Sequence, residues 1–362
     1  MLIKSALVEE KGSIRLDNVE ISEPKGDEVL VKMVGTGICH TDLSVSNQVV
    51  PTPLPIVLGH EGAGVIERVG PGVTDFQEGD HVVVSFTFCG TCNTCTHGEP
   101  SSCENLGLLN YGGTMMDGTT RLSIGETPVA TFFGQSSLAT YSIAHVSNLV
   151  KVDKDVDLAI LGPLACGIQT GAGTILNKLK PEFGTSLAVF GCGGVGLSGI
   201  MAANLLGCEN IIAVDIDEDR LKLAKELGAT HTLNGKEVDV VSEIHEITGN
   251  GAQYAFEATA VPAIVLQSIR CLAVGGTVAV VGVGGEASIH IHDDLVLPNR
   301  TIVGVTEGVS IPPVFIPKLI NYYKKGKFPF DKLIKKYPFE QLEQAIEDMK
   351  SGKTIKPVVT FE

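Results

Sequence analysis

The chain has 362 residues, more than the ~250–300 at which one hydrophobic core stops growing, so two domains are expected. Hydrophobic residues at 44% against 19% charged exclude intrinsic disorder, and 42 glycines with no three-residue period exclude collagen and point to turns and close backbone approaches. Lys plus Arg 27 against Asp plus Glu 42 leaves a net charge of −15 with no basic run, which excludes nucleic acid and anionic membrane surfaces as partners.

At the N-terminus, Lys4, Glu9 and Glu10 interrupt the apolar character, so no secretory signal is expected and the protein reads as cytoplasmic. Short β-type runs at 29–34, 64–69 and 81–86, separated by irregular stretches, predict a small barrel-like β domain over the first 160 residues. Within it stand Gly37-Ile-Cys39-His40-Thr41-Asp42 and Gly59-His60-Glu61-x-x-Gly64, and further on Pro163-Leu-Ala-Cys166-Gly167. Cys39, His60 and Cys166 would make a Cys2His set of the kind that holds a catalytic zinc with one open position. Spacing alone does not show that they meet. Taken singly, Cys166 reads as a small buried apolar residue and His60 as a satisfied core histidine.

Nine cysteines, an odd number in a chain read as cytoplasmic, favour metal over disulfides. Four of them form Cys89-x2-Cys92-x2-Cys95-x7-Cys103, a spacing at which four thiolates can close tetrahedrally on a structural Zn(II). An iron-sulfur run of the bacterial ferredoxin type would need its fourth cysteine three residues on with a proline after it, which Cys103 does not satisfy. One exchanging dithiol would leave the other two cysteines unexplained.

From Cys166 on, apolar strands alternate with helical segments. The stretch 183–208 carries no charge and is long enough to suggest a membrane span, but its glycines break it into a buried strand, a turn and a buried helix. Strands are predicted at 186–190, 211–215, 230–233, 254–258, 277–281 and 302–305, with helices at 218–227, 239–248 and 262–272 between them, the spacing of βα units in a parallel sheet. Gly191-Cys-Gly193-Gly194-Val195-Gly196 follows the first strand directly and opens a helix. These glycines allow a tight turn, close approach to a pyrophosphate and close helix packing, while the helix start offers free N–H donors. A second apolar strand ends at Asp215, 19 residues after Gly196 (215 − 196), where a ribose-binding carboxylate belongs. Asp215 would accept the ribose hydroxyls and repel a 2′-phosphate, favouring NAD over NADP, and Arg220 is near enough in sequence to reach the same ribose. The competing reading makes the glycines a plain turn, Asp215 a helix cap and Arg220 an exposed charge. In the tail, helices at 317–325 and 340–349 and a strand at 357–361 are expected to return to the first domain, giving domains 1–165 with 306–362, and 166–305.

Over nearly its whole length the sequence resembles the zinc-dependent medium-chain alcohol dehydrogenases. The resemblance rests on Gly59-His-Glu-x2-Gly64-x5-Gly70-x2-Val73, the four-cysteine lobe at 89–103, the dinucleotide fingerprint and their order. Gly37 to Asp42, Phe133-Gly-Gln-Ser-Ser-Leu-Ala-Thr-Tyr141 and Cys166-Gly-Ile-Gln-Thr-Gly-Ala-Gly173 look most like the aryl or benzyl alcohol dehydrogenase branch. The resemblance implies an α/β fold class, a GroES-like β-barrel catalytic domain plus a doubly wound, parallel-sheet Rossmann coenzyme domain. It also implies two zinc ions per chain, with Cys39, His60 and Cys166 ligating the catalytic one, and NAD as coenzyme. Asp42 would orient the histidine ring, Glu61 would stand just outside the ligands, and Thr41 would hydrogen-bond the alcohol oxygen. His40, Thr170 and Lys356 would contact the coenzyme, Lys356 standing where arginine is frequent. Relatives are dimers or tetramers, so a homodimer or homotetramer is implied.

In one respect the chain departs from its relatives: many carry a proton-passing histidine five residues after the first ligand, and this chain has Ser44, which cannot act as a base near neutral pH. The expected reaction is reversible oxidation of a primary alcohol, benzylic or allylic, to the aldehyde, with Leu108, Leu109, Phe132, Phe133 and Leu138 as candidate lining residues whose other reading is core packing. Alternatives are a polyol or glutathione-dependent formaldehyde dehydrogenase of the same family, and, further off, a non-catalytic zinc-stabilised nucleotide-binding protein, which would need only the four-cysteine zinc.

Overall fold

The computed structural model describes residues 1–361. They divide into two compact units, one built from Met1–Gly167, Ile311–Ile320 and the C-terminal stretch from Asp331, the other from Ile168–Ser310 and Asn321–Phe330. Residues 321–330 group with the second unit, where the Tyr323 and Phe330 rings stand 4.7 Å apart and Phe328 and Phe330 are fully buried.

In the first unit, strands Leu2–Val8, Arg15–Ile21, Leu122–Ile124, Thr127–Thr131 and Ile56–Val57 close a barrel. Their alternate residues Ile3, Leu7, Val19, Val57, Leu122 and Val129 fill its interior. The companion sheet runs Leu149–Lys151, His81–Val84, Gly62–Val69, Glu28–Gly37, Lys356–Thr360, Ile334–Pro338, with Tyr141–His145 also paired to Glu28–Gly37. The expected strands at 29–34 and 64–69 are thus present and longer, whereas that at 81–86 stops at Val84. The C-terminal strand lies antiparallel to Glu28–Gly37, with Val358 opposite Gly37 and Ile38 N–H donating to the Pro357 carbonyl at 3.0 Å. That register carries Lys356 to the end of Glu28–Gly37 that leads into Cys39.

The second unit is a six-stranded, all-parallel sheet ordered His231–Asn234, Asn210–Asp215, Ser186–Phe190, Ala252–Glu257, Leu272–Val280, Thr301–Gly304. In chain order this is 3-2-1-4-5-6, the doubly wound arrangement in which ligands bind beyond the strand carboxyl ends where the order reverses, here at Ser186–Phe190. The expected β-barrel unit and parallel-sheet α/β unit are therefore both present. The uncharged stretch is the fully buried strand Ser186–Phe190 and the helix Gly194–Leu206. Among the described residues no helix is long and apolar enough to cross a membrane.

The tail helix expected from residue 317 begins earlier, at Pro312. Pro312 and Pro313 suit a first turn, whose N–H groups need no intrahelical partner, and Pro317 costs a single bond in the turn that follows.

Inside the first unit, Arg121 donates from Nε to Glu28 Oε2 at 2.8 Å and from Nη2 to Glu28 Oε1 at 2.6 Å and Asp117 Oδ2 at 2.7 Å. Arg121 and Glu28 are both buried. Removing one partner of a buried pair strands the other charge, so Arg121→Met is expected to destabilise the fold by about 3–5 kcal/mol, read as a lowered urea midpoint at unchanged slope. Burial works to raise the Asp117 carboxyl, yet Arg121 and the Thr119 N–H hold it down at about 2. Its contribution is complete above the ordinary carboxylate value of about 3.9 and is lost as pH falls through the depressed one. Asp117→Asn should therefore flatten the acid limb of stability within that window, in urea titrations run at a series of pH values.

Candidate active site

Cys39 is the N-cap of the short helix His40–Ser46, and Asp42 at its third position closes a capping box by accepting the Cys39 N–H on Oδ2 at 2.9 Å. The other oxygen, Oδ1, accepts the Gly59 N–H at 3.0 Å and lies 3.2 Å from His60 Nδ1. Gly59 has φ +101°, and a Cβ there would lie 2.1 Å from the Leu138 nitrogen, so only glycine lets the chain turn here and deliver His60. His60 is wholly buried, with Phe132 edge-on at 5.2 Å and Phe133 tilted at 4.7 Å between ring centroids. Gln135 Nε2 donates to the His60 carbonyl at 3.3 Å and to Val84 and Ser85 at 3.1 and 2.9 Å, tying the three segments together.

With Nδ1–H donated to Asp42, the His60 Nε2 lone pair is left buried with no hydrogen-bond partner. Such an orphan costs about 1–3 kcal/mol unless something binds it. Beside it are Cys39, Glu61 and Cys166, all four donor atoms lying within 4.8 Å of one another. Cys166 reaches this point at the junction of the turn Gly162–Ala165 and the helix Gly167–Gly173. The Cys166 thiol, then Lys356 and His60, draw Cys39 well below the usual thiol range against the opposing effect of burial. A set of two sulfurs, one imidazole nitrogen and a nearby carboxylate suits Zn(II), so the residues present fit the implied metal.

Glu61 is fully buried and burial raises its carboxyl, opposed by Lys356. Lys356 Nζ donates to Glu61 Oε1 at 2.9 Å, to Oε2 at 3.0 Å and to the Ile38 carbonyl at 3.3 Å. Although burial opposes its charge, the Glu61 carboxylate holds the ammonium above its ordinary range. Lys356, expected at the coenzyme, thus has three buried acceptors beside Cys39 and His60 facing its ammonium. Thr41 Oγ1 lies 3.6 Å from Cys39 Sγ, and His40 opens the helix as an exposed residue.

The four-cysteine lobe gathers as expected. Sulfur separations are 3.5 Å for Cys89 to Cys103, 3.9 Å for Cys92 to Cys103 and 4.0 Å for Cys89 to Cys95, and none of the four is in a disulfide. Tetrahedral sulfurs at ~2.3 Å from a zinc stand ~3.8 Å apart, so the lobe fits that ion. The Thr91 N–H, then that of Cys92, hold Cys89 down at about 5, while burial and Cys92 push Cys95 up to about 12. Crowded sulfurs cannot all ionise without a cation among them, which couples folding of this lobe to metal.

In the second unit, a Cβ on Gly196 would stand 1.8 Å from the Gly191 carbonyl oxygen, so the helix start packs on the turn through bare backbone. A Cβ on Gly193 would meet nothing within 4 Å, leaving that side open for a ligand to approach the N–H groups of Gly194, Val195 and Gly196 at the helix start. Asp215 accepts N–H groups from Cys192 at 2.6 Å, Ile216 at 2.7 Å and Asp217 at 3.1 Å. It does not cap the next helix; Asp217 does, receiving Asp219 and Arg220 N–H. Arg220 Nε is buried without a hydrogen-bond partner. The helix bearing Thr170 lies against the start of the helix Gly194–Leu206, since a Cβ on Gly171 would fall 1.9 Å from the Val195 carbonyl oxygen. These residues form a phosphate cradle with a carboxylate behind it, which fits the implied dinucleotide.

Of the candidate lining residues, Phe132, Phe133 and Leu138 are buried core, with Phe132 and Phe133 on the His60 ring, and Leu108 is exposed. The sequence reading missed the hold of Lys356 on Glu61 and the part of Gln135. Gln135 stood within a quoted motif, but only the pairing of distant strands gives either residue its partner.

The segment 25–154 matches the alcohol dehydrogenase GroES-like domain family, and 194–320 matches the zinc-binding dehydrogenase family. The chain is 44% identical over 355 residues to geraniol dehydrogenase of Castellaniella defragrans, covering 97% of this chain and 95% of that protein. Benzyl alcohol dehydrogenase of Acinetobacter calcoaceticus is 47% identical with a TM-score of 0.96, covering all of both chains. An alcohol dehydrogenase zinc-binding domain protein of Burkholderia ambifaria is 48% identical with a TM-score of 0.96, covering 100% of this chain and 99% of that one. The chain therefore belongs to the zinc-dependent medium-chain alcohol dehydrogenases and is an oxidoreductase of that family.

Proposed function

We propose that this enzyme reversibly oxidises a primary benzylic or allylic alcohol to the aldehyde with NAD, using a catalytic zinc on Cys39, His60 and Cys166 and a structural zinc on Cys89, Cys92, Cys95 and Cys103. The observation that carries the reading is the buried, unpartnered His60 Nε2 among two cysteine sulfurs. When bound, zinc supplies Lewis acidity to the alcohol oxygen and NAD takes up the hydride.

The chain's own residues do the rest. Asp42 fixes the His60 tautomer with Nδ1 protonated and Nε2 free. Thr41 Oγ1, beside Cys39, takes the hydrogen bond of the substrate hydroxyl and hands its own proton onward. Ser44 cannot act as a base near neutral pH, so water or another group carries the proton on from Thr41. The glycine turn, with the N–H groups of Gly194, Val195 and Gly196, takes the coenzyme pyrophosphate, His40 and Thr170 adding to the hold. Asp215 takes the adenosine ribose and disfavours a 2′-phosphate, with Arg220 alongside. Small alcohols and aldehydes are its partners, and a cytoplasmic homodimer or homotetramer is the form proposed.

The relatives' names support the substrate class, and the rings packed beside His60 make its surroundings apolar, Phe132 and Phe133 lying on it and Tyr111 meeting Phe133 edge to face at 5.2 Å. Burying an aromatic ring contributes ~1.5–3 kcal/mol, roughly 10- to 150-fold in kcat/KM. Coenzyme reduction measured with benzyl alcohol, geraniol and ethanol, each with NAD and NADP, should show that preference over ethanol, and a preference for ethanol or for NADP overturns it.

A further inference from the structure

We propose that Lys356 is a positioning residue that holds the Glu61 carboxylate away from the fourth position of the metal, and so keeps that position open for the alcohol. The proposal rests on the Cys39, His60 and Cys166 ligand set argued above. A carboxylate is itself a competent zinc ligand, and Glu61 stands within 4.8 Å of the three other donor atoms. Were it to bind, the site would hold four protein ligands, the closed arrangement of a structural zinc, with no place for substrate.

Three features set the carboxylate where it is. Lys356 Nζ bonds both of its oxygens, at 2.9 and 3.0 Å, and the Gly167 N–H donates to Oε1 at 3.2 Å. Gly37 provides the recess, since a Cβ there would lie 2.0 Å from Glu61 Oε2. The ammonium is anchored in turn by the Ile38 carbonyl at 3.3 Å and by the register of Lys356–Thr360 on Glu28–Gly37. What the restraint needs is a cation facing both oxygens at once, which the arginine fork can also supply.

An ion pair that merely supports the site and a restraint on Glu61 predict opposite signs. Without Lys356, a mere support loosens the metal. Loss of a restraint frees the carboxylate to bind, and the metal leaves more slowly.

The experiment follows release of zinc to excess chelator from the full chain, taking as the relevant phase the one that Cys166→Ala lacks. Lys356→Met is expected to slow that phase about 10-fold, within the 10- to 100-fold range typical of residues behind metal ligands, and to shift the visible spectrum of the Co(II)-substituted protein as an oxygen donor enters. Lys356→Arg should restore both readouts, and Lys356→Met with Glu61→Gln should release zinc at least as fast as the wild type. Release from Lys356→Met that is unchanged or faster, with an unchanged Co(II) spectrum, overturns the proposal. Glu61→Gln alone gives a second test that does not depend on the Lys356 variant folding: the Co(II) spectrum should stay that of the wild type, and a changed one means Glu61 already ligates. If the wild type holds only one zinc per chain, the ligand set itself fails and the proposal falls with it, a result distinct from two zincs with unslowed release.

Discussion

With the two zincs proposed for the wild type, a Cys166→Ala chain is expected to carry only one, and to oxidise alcohols at least about 10³-fold more slowly. The loss follows from the donor count. Cys39 and His60 alone leave two of four tetrahedral positions without protein ligands, and two ligands do not hold Zn(II) against water. The His60 Nε2 lone pair returns to being a buried acceptor without a partner. Lewis-acid stabilisation is worth several kcal/mol, and each 1.36 kcal/mol is a factor of ten, which sets the size of the effect. Cys166 is half-buried, and Ser85 Oγ holds the preceding Ala165 carbonyl at 2.7 Å, so the alanine chain should fold with little change in melting temperature. Zinc counted per chain by atomic spectroscopy, beside steady-state turnover, checks both halves. Turnover near the wild-type rate would remove Cys166 from the chemistry, and unchanged zinc would remove it from the metal.

Gly193→Val should raise KM for NAD by roughly 10²- to 10⁴-fold while leaving the fold intact. A Cβ at this position meets no heavy atom within 4 Å, and its backbone is extended at φ −80° and ψ −173°, which a β-branched residue adopts freely. The cost therefore falls on whatever approaches from outside. If a pyrophosphate lies there, the valine displaces it from two charge-assisted N–H bonds worth ~1.5–3 kcal/mol each, which gives the range quoted. Gly196→Ala is the contrasting change, because its Cβ would sit 1.8 Å from the Gly191 carbonyl oxygen and must disrupt the turn itself. Melting temperature and coenzyme titration separate the two. A Gly193→Val chain with wild-type KM for NAD would mean that the open side of the turn is not where the coenzyme lies.

Local pattern made much of this protein legible in advance. The alternation of apolar strands and amphipathic helices after Cys166 is a property of short windows, and it sufficed for six parallel strands and for the helices between them. The glycine fingerprint and the four clustered cysteines carry their chemistry within a dozen or so residues, so backbone geometry alone limits what they can form. Element ends were less secure: the helix begun at Pro312 ran through the point where Pro317 had suggested a start, because the rest of the helix compensates for one missing N–H.

What the sequence by itself determined, then, was what neighbours along the chain set: the alternating strands and helices of a parallel sheet, the phosphate turn and the cysteine lobe. What only the tertiary structure decided was which remote residues meet. Cys39, His60 and Cys166 come within one cluster because Gly59 turns the chain at φ +101° and the turn Gly162–Ala165 ends at Cys166. Lys356 finds Glu61 because one strand register, Val358 opposite Gly37, carries it there. The reason is physical: periodicity fixes which face of an element is buried, but the partner across that face is chosen by packing between segments far apart in sequence, and a buried charge settles on the counter-charge that the packing supplies.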